Sequence, residues 1–273
     1  MQAETRLFCS DTRGFTLLEV LIAITIGILI ISTVLGFFWM QRSSADLQQD
    51  VAAVQQDLRG ISQMLASNIR IAGYNPQHQE DFNDFVDCGA AALTPGFQGS
   101  DAEQPAIRFH NQDCDQTNVT TDATNIAFVA DINGDGRINR TAGPPIEQIA
   151  YRFTPVCAGS RSGCLEQYSP GANPSWQPVA QNIDGVEFLY HLSNGPDVTN
   201  PAQVQLNNIR AVTVTILARA ASPKRDFINN NIYRPASCGN PAAPCDQAFN
   251  GGNPWNDNFL RQMLTFTVQC RNL

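Results

Sequence analysis

The sequence predicts an α+β protein in which one long N-terminal α-helix packs on a largely antiparallel β-sheet head. Three observations predict it. Residues Phe15 to Met40 form an apolar run with one charge, Glu19. Beyond Met40, apolar residues recur at the spacing of a single helical face. After Pro76, short segments alternate apolar and polar residues with no long helix between them, the pattern of an antiparallel sheet.

The apolar run comes first. About 20 apolar residues cross a bilayer core as a helix, so Phe15–Met40 is long enough to span a membrane. A cleaved secretory signal is the competing reading, but the run is too long for a signal core and lacks an A-x-A cleavage site. It also holds a carboxylate near its start. An unpaired carboxylate at the centre of a bilayer costs roughly 2.5–3.5 kcal/mol on insertion scales, so Glu19 calls for a function. Arg6 and Arg13 place the residues before the run on the cytoplasmic side, although Glu4 and Asp11 cancel their net charge.

The second half of the helix follows. Leu47, Val51, Val54, Leu58, Ile61 and Leu65 form one stripe, with Asp46, Gln49, Asp50, Gln56, Asp57 and Arg59 on other faces. The stripe is expected to pack on the protein's own sheet, with a partner helix in a coiled coil as the alternative. No proline interrupts Phe15 to Tyr74, so one continuous helix is expected, stopped by Gly73 and Asn75-Pro76. Strands are expected at Ala106–His110, Asn125–Asp131, Glu147–Phe153, Val186–Leu192, Ile209–Ala218 and Leu264–Cys270, in one sheet. The loops Gln77–Pro105 and Ala221–Phe259 are long enough to carry functional surface. The resulting division is 1–14 before the apolar run, 15–40 spanning helix, 41–74 amphipathic helix and 75–273 β-rich head.

Composition excludes several functions. The 43% hydrophobic content suits a folded chain, and 15% charged residues leave its surface sparsely charged. A net charge of −8 argues against non-specific nucleic-acid binding. No G-x-S-x-G, P-loop or H-E-x-x-H is present, and no cysteine–histidine signature can be assigned, so the chain is read as non-enzymatic. Asp184 and Glu187 read as turn and strand-surface carboxylates.

The chain has 8 cysteines, none in a C-x-x-C pair, and its 3 histidines stand apart. Disulfides in an oxidising compartment explain this better than zinc or iron–sulfur ligation. Cys157 with Cys164 and Cys238 with Cys245 are the local candidate pairs, both in loops rich in small residues and proline. Cys88 with Cys114 is a third. Spacing does not fix connectivity, and Cys270 can pair with any of them. A disulfide of this kind contributes about 2–4 kcal/mol by restraining the unfolded chain.

Asp131-Ile132-Asn133-Gly134-Asp135-Gly136-Arg137-Ile138-Asn139 matches the opening of an EF-hand loop. Oxygen ligands fall on Asp131, Asn133, Asp135 and Asn139, with the Arg137 carbonyl between them and Gly136 at the sharp turn. The expected cofactor is Ca2+. Ala142 stands where the bidentate Glu belongs, and the flanks read as strands, so an ordinary Asp/Asn/Gly turn is the alternative.

Arg13-Gly14-Phe15-Thr16-Leu17-Leu18-Glu19-Val20-Leu21-Ile22-Ala23 resembles the type IV prepilin signal shared by pilins and type II secretion pseudopilins. The resemblance implies a cytoplasmic leader ending at Gly14, removed by prepilin peptidase between Gly14 and Phe15. It implies N-methylation of Phe15. It also makes Glu19 the carboxylate that pairs with a neighbouring subunit's N-terminal amine in the filament. Burying that amine without a partner would be costly.

Leu65–Tyr74 resembles the helix-ending segment of PilW-type minor pilins. Asn182–Tyr190 and Ile209–Val214 resemble two strands of that family. The implied partners are other minor pilins, major pilins, prepilin peptidase and an inner-membrane assembly platform. The implied location is a single pass in the inner membrane with a periplasmic head, then the pilus near its tip and the cell surface. A J-type pseudopilin of type II secretion and a calcium-dependent filament adhesin are the alternatives.

Overall fold

A computed structural model describes residues 14–74, 121–131, 134, 148–160, 162–169, 175–225, 227–239 and 248–271. The chain divides into two compact units, Met1–Gln49 and Asp50–Leu273. The strand expected at Ala106–His110 and the loop at Gln77–Pro105 lie outside the described residues.

Helix α1 runs Leu17–Arg70, 54 residues without a break. In the first unit its apolar side chains are exposed, Leu29 at 67% and Phe38 at 62%. This stretch is long and apolar enough to cross a membrane. In the second unit Val54, Leu58, Ile61, Leu65 and Ile69 are buried in the core. The stripe read from the sequence is thus buried only from Val54 onward; Leu47 is exposed and Val51 half-buried.

The helix stops as its sequence demands. Gly73 takes a left-handed φ of 72°, which costs a glycine little and most residues more. Tyr74 N donates to the Ile71 carbonyl at 2.9 Å, and the Tyr74 carbonyl accepts Asp131 N at 2.8 Å. Ile69 and Ala72 are fully buried, and Asn68 Nδ2 donates to the Tyr151 hydroxyl. The helix end is therefore tied into the sheet by packing and by hydrogen bonds.

The expected single sheet is two. Strands β1 (Asn125–Val129), β2 (Gln148–Thr154), β3 (Cys164–Ser169) and β4 (Ser175–Gln181) form an antiparallel sheet in that order. Strands β5 (Ile183–Leu192), β6 (Ile209–Arg219) and β7 (Arg261–Gln269) form a second antiparallel sheet. One residue, Asn182, separates β4 from β5. Its φ of 58° lies in the left-handed region that asparagine tolerates, and it redirects the chain from one sheet to the next. Side chains from both sheets meet the helix in one core that includes Phe128, Tyr151, Leu165, Phe188, Tyr190 and Val214.

Strands β3 and β4 were not expected. CLEQYS and SWQPVAQ mix turn-forming residues with a proline, which hides strand character. Pro178 is tolerated because β4 is the end strand of its sheet in the observed order. Cys164 accordingly opens β3 and does not sit in a loop.

The two sheets approach each other closely at Gly163. Ile183 N donates to the Gly163 carbonyl at 3.0 Å. A Cβ on Gly163 would lie 2.3 Å from the Ile183 carbonyl oxygen and 2.9 Å from the Phe153 ring. The obstacle is mainly backbone, so it cannot turn aside. Gly163→Ala is therefore expected to destabilise the protein by about 3 kcal/mol, the upper end of ordinary overpacking. Urea unfolding of the full chain in detergent measures it, and an unchanged midpoint contradicts the packing described.

Candidate functional site

The N-terminal segment is built around a helix start. Thr16 precedes the first helical residue, and Glu19 lies in the first turn. Glu19 N donates to Thr16 Oγ1 at 3.3 Å, while Thr16 N and Thr16 Oγ1 each donate to Glu19 Oε2 at 3.0 Å. This is a reciprocal capping box, in which each side chain satisfies the other residue's backbone N–H. The signature Thr-x-x-Glu was present in the sequence and marks the same helix start. Gly14 and Phe15 lie outside the helix, with Phe15 87% exposed. Among the described residues, no cation lies on Glu19. Its carboxylate is held by a neutral local partner that a stronger one can replace.

Cys157 and Cys164 form the expected disulfide, with Cα atoms 5.5 Å apart. It closes the β2–β3 connection, where Cys157 N also donates to the Ser162 carbonyl at 2.9 Å. Cys238 is disulfide-bonded too. Cys245, Cys88 and Cys114 lie outside the described residues, and Cys270 is buried at the end of β7. Of the calcium-loop ligands, only Asp131 is described; Asn133, Asp135, Arg137 and Asn139 are not. Asp131 is buried, and its Oδ1 accepts Gly134 N at 2.6 Å.

The outer face of the second sheet corrects the reading of Asp184 and Glu187 as surface groups. Glu187 is 3% exposed and accepts hydrogen bonds from Ser237 N at 3.1 Å and from Ser237 Oγ. Burial pushes its carboxyl above the usual range, and the Ser237 bonds offset part of that push. Gly185, one pleat earlier on the same face, lies under the Phe249 ring, 2.5 Å from where a Cβ would stand. The Gly185-Val186-Glu187 run thus docks two parts of the C-terminal loop while Val186 faces the core.

Asp184 meets Arg261 Nε at 2.7 Å and Arg219 Nε at 3.6 Å. Farther along β5, Asp197 Oδ1 lies 2.9 Å from His191 Nδ1. His191 Nε2 then meets Thr213 Oγ1 at 2.6 Å, and Thr213 meets Thr267 at 2.7 Å. This row ties β5, β6 and β7 together across the face, and Thr213 is buried within it. The partners lie far apart in sequence, so spacing alone could not reveal them.

The described residues thus form a capped helix long enough to cross a membrane, followed by two antiparallel sheets. Residues 9–35 match the prokaryotic N-terminal methylation motif. Among solved structures, a type IV-like pilin from Thermus thermophilus is similar at 12% identity and a TM-score of 0.42. It covers 81% of this chain and 98% of that one. No curated protein matches.

Proposed function

We propose that the chain is a PilW-type minor type IV pilin. Prepilin peptidase removes its leader between Gly14 and Phe15, and Phe15 is N-methylated. The subunit then joins other minor pilins on an inner-membrane assembly platform to prime addition of major pilins, near the pilus tip. Before assembly, α1 crosses the inner membrane once, with the head in the periplasm; afterwards the subunit is in the pilus at the cell surface. Its role is structural and not enzymatic.

The observation that carries this reading is the methylation motif at residues 9–35, which spans the capped start of the apolar helix. Energetics explain how one carboxylate serves two states. The capping box contributes about 1 kcal/mol to the helix end. A buried amine left unpaired in a filament core costs several kcal/mol, so Glu19 exchanges Thr16 for a neighbour's amine on assembly. Glu19→Ala should be cut normally yet appear in sheared filaments at a small fraction of the wild-type level by immunoblot. Wild-type incorporation would remove Glu19 from the assembly contact.

Ca2+ in the loop beginning at Asp131 belongs to the same proposal. Calorimetry should show calcium binding by the wild type and none by Asp131→Ala or Asp135→Ala; equal heats for all three leave an ordinary turn. Deleting the gene should abolish or reduce surface piliation. Normal pili with failed exoprotein secretion would replace the proposal with a J-type pseudopilin.

A further inference from the structure

Strand β7 leaves one edge of the second sheet open. Its register against β6 runs without a shift from Ala211 opposite Gln269 to Arg219 opposite Arg261. Ala220 N donates to the Leu260 carbonyl at 2.8 Å, and Cys270 N to the Arg210 carbonyl at 3.0 Å. Antiparallel strands exchange bonds at every second pair, so the even-numbered residues from Leu260 to Cys270 bond to β6. The backbone N–H and C=O groups of Met263, Thr265, Thr267 and Gln269 therefore point the other way. Among the described residues, none of these groups has a hydrogen-bond partner.

The opposite edge of the same sheet is closed by the protein's own chain. On β5 the outward N–H groups of Phe188 and Tyr190 donate to the Ala123 and Val198 carbonyls, each at 2.8 Å. Open edges are ordinarily guarded by a lysine, a proline or a bulge, because a bare edge pairs with other extended chains. Gln262–Gln269 holds no charge, proline or glycine, and its register is unshifted. Side chains also pin it to β6: Thr265 Oγ1 donates to Thr215 Oγ1 at 3.2 Å, and the Thr267 and Thr213 hydroxyls meet at 2.7 Å. An edge already fixed loses little freedom when a strand joins it.

The backbone and side chains together select the occupant. Rows of outward N–H and C=O groups are matched by an extended strand. Met263, Thr265, Thr267 and Gln269 are exposed on one face. On the core face Leu264 and Phe266 are only half-buried, while Val214 and Ile216 of β6 are fully buried. A joining strand with apolar residues on the core face covers Leu264 and Phe266, and uncharged polar residues on its other face lie beside the threonines. A charge on the core face would be desolvated there without a partner. Antiparallel pairing of two β7 strands would turn one sheet half a revolution about its normal, reversing the helix face Val54–Ile69 packed on it. Subunits inserted in one membrane have parallel helices, so the strand comes from a different subunit.

We infer that the free edge of β7 is a strand-addition site. It takes an uncharged segment of a neighbouring filament subunit, alternating apolar and polar residues, as an antiparallel strand. The inference rests on the proposed role as a pilus subunit.

In-cell photo-crosslinking of the full chain tests it, with p-benzoylphenylalanine at Met263 or Gln269 and, as a control on the apolar helix, at Leu29. The expected result is adducts at positions 263 and 269 that map to one uncharged, alternating segment of another pilin. Thr267→Pro removes an edge N–H, and Thr265→Lys sets a charge beside the added strand; neither removes a backbone bond to β6. Each should lower the yield about tenfold while leaving the Leu29 adduct unchanged. Adducts at Leu29 alone would overturn the strand-addition site and leave the subunit role standing. So would adducts at 263 or 269 to lipid, to a second copy of this chain, to this chain's own Ala106–His110, or to any segment indifferent to both substitutions. Absence of subunit adducts at all three positions would overturn the subunit role, and the strand-addition site with it.

Discussion

Gly14→Val is expected to leave the chain uncut: under the proposed function the leader should stay attached, Phe15 should carry no methyl group, and the intact mass should exceed that of the processed subunit by residues 1–14. Among the described residues, nothing lies within 4 Å of where a Cβ on Gly14 would stand. The subunit itself therefore has room for valine, and the capping box at Thr16 and Glu19 is untouched. Any loss must arise where the peptidase grips the bond. A site shaped around the absence of a side chain meets a branched one there. Even one extra carbon in a tight pocket costs roughly 10–200-fold in rate, and valine adds three. Intact-mass spectrometry of the membrane fraction decides it. Efficient cutting of Gly14→Val would separate this N-terminus from prepilin processing, and full-length chain with a normal unfolding midpoint would exclude misfolding as the cause.

The comparison with Glu19→Ala sharpens that result. Under the proposed function Gly14 acts before assembly and Glu19 during it, so one variant is expected to keep the leader and the other to lose it without joining a filament. Thr16 adds a third position. Its hydroxyl and N–H both hold Glu19 Oε2 in the free subunit. The local bond is the weaker of the two partnerships available to the carboxylate. Under the proposed function it would keep Glu19 satisfied before assembly without competing seriously with a buried amine.

What the sequence disclosed follows from the range of the interactions involved. The helix was legible because its cause is local: unbroken apolar residues, a three-four stripe, no proline, and a glycine at the stop. Most strands were legible from period-two alternation, as in Val212, Val214 and Ile216 facing the core. The division into two sheets was not, because it depends on one left-handed residue, Asn182. Strands β3 and β4 were hidden by Pro178 and by glutamate and glutamine, which are strand residues here because of their neighbours. Glu166, for instance, accepts from Arg152 Nε at 2.7 Å and Thr154 Oγ1 at 2.8 Å. Asp184 and Glu187 were misread for the same reason. Their partners Arg261 and Ser237 lie 77 and 50 residues away.

Arg261→Met is expected to cost about 3–5 kcal/mol, the penalty for removing one member of a buried ion-pair network. The Arg261 side chain has no exposed surface. Its Nε donates to Asp184 Oδ2 at 2.7 Å, and its two terminal nitrogens donate to the two Asp257 oxygens at 2.6 Å. Nη1 also reaches the Phe259 carbonyl at 3.3 Å, and the guanidinium lies 3.9 Å from the Trp255 ring centroid. One planar group thus ties the start of β5 to the loop before β7. Methionine preserves much of the stem's volume while leaving two carboxylates without this partner. Lysine keeps a charge but cannot form the paired bonds to Asp257, so Arg261→Lys should fall between the two.

The pairing also sets a pH signature. The Arg261 hydrogen bonds hold the Asp257 carboxyl below its usual range. Its contribution is therefore present above the unfolded carboxylate pKa and is lost as pH falls through the lowered folded value. Thermal unfolding of the full chain in detergent, followed by tryptophan emission, should show the wild type losing stability in acid more steeply than Arg261→Met. Adding Asp184→Asn to Arg261→Met should recover part of the loss, because it removes a stranded charge. A simple sum of the two single losses would mean that Asp184 and Arg261 are not energetically coupled.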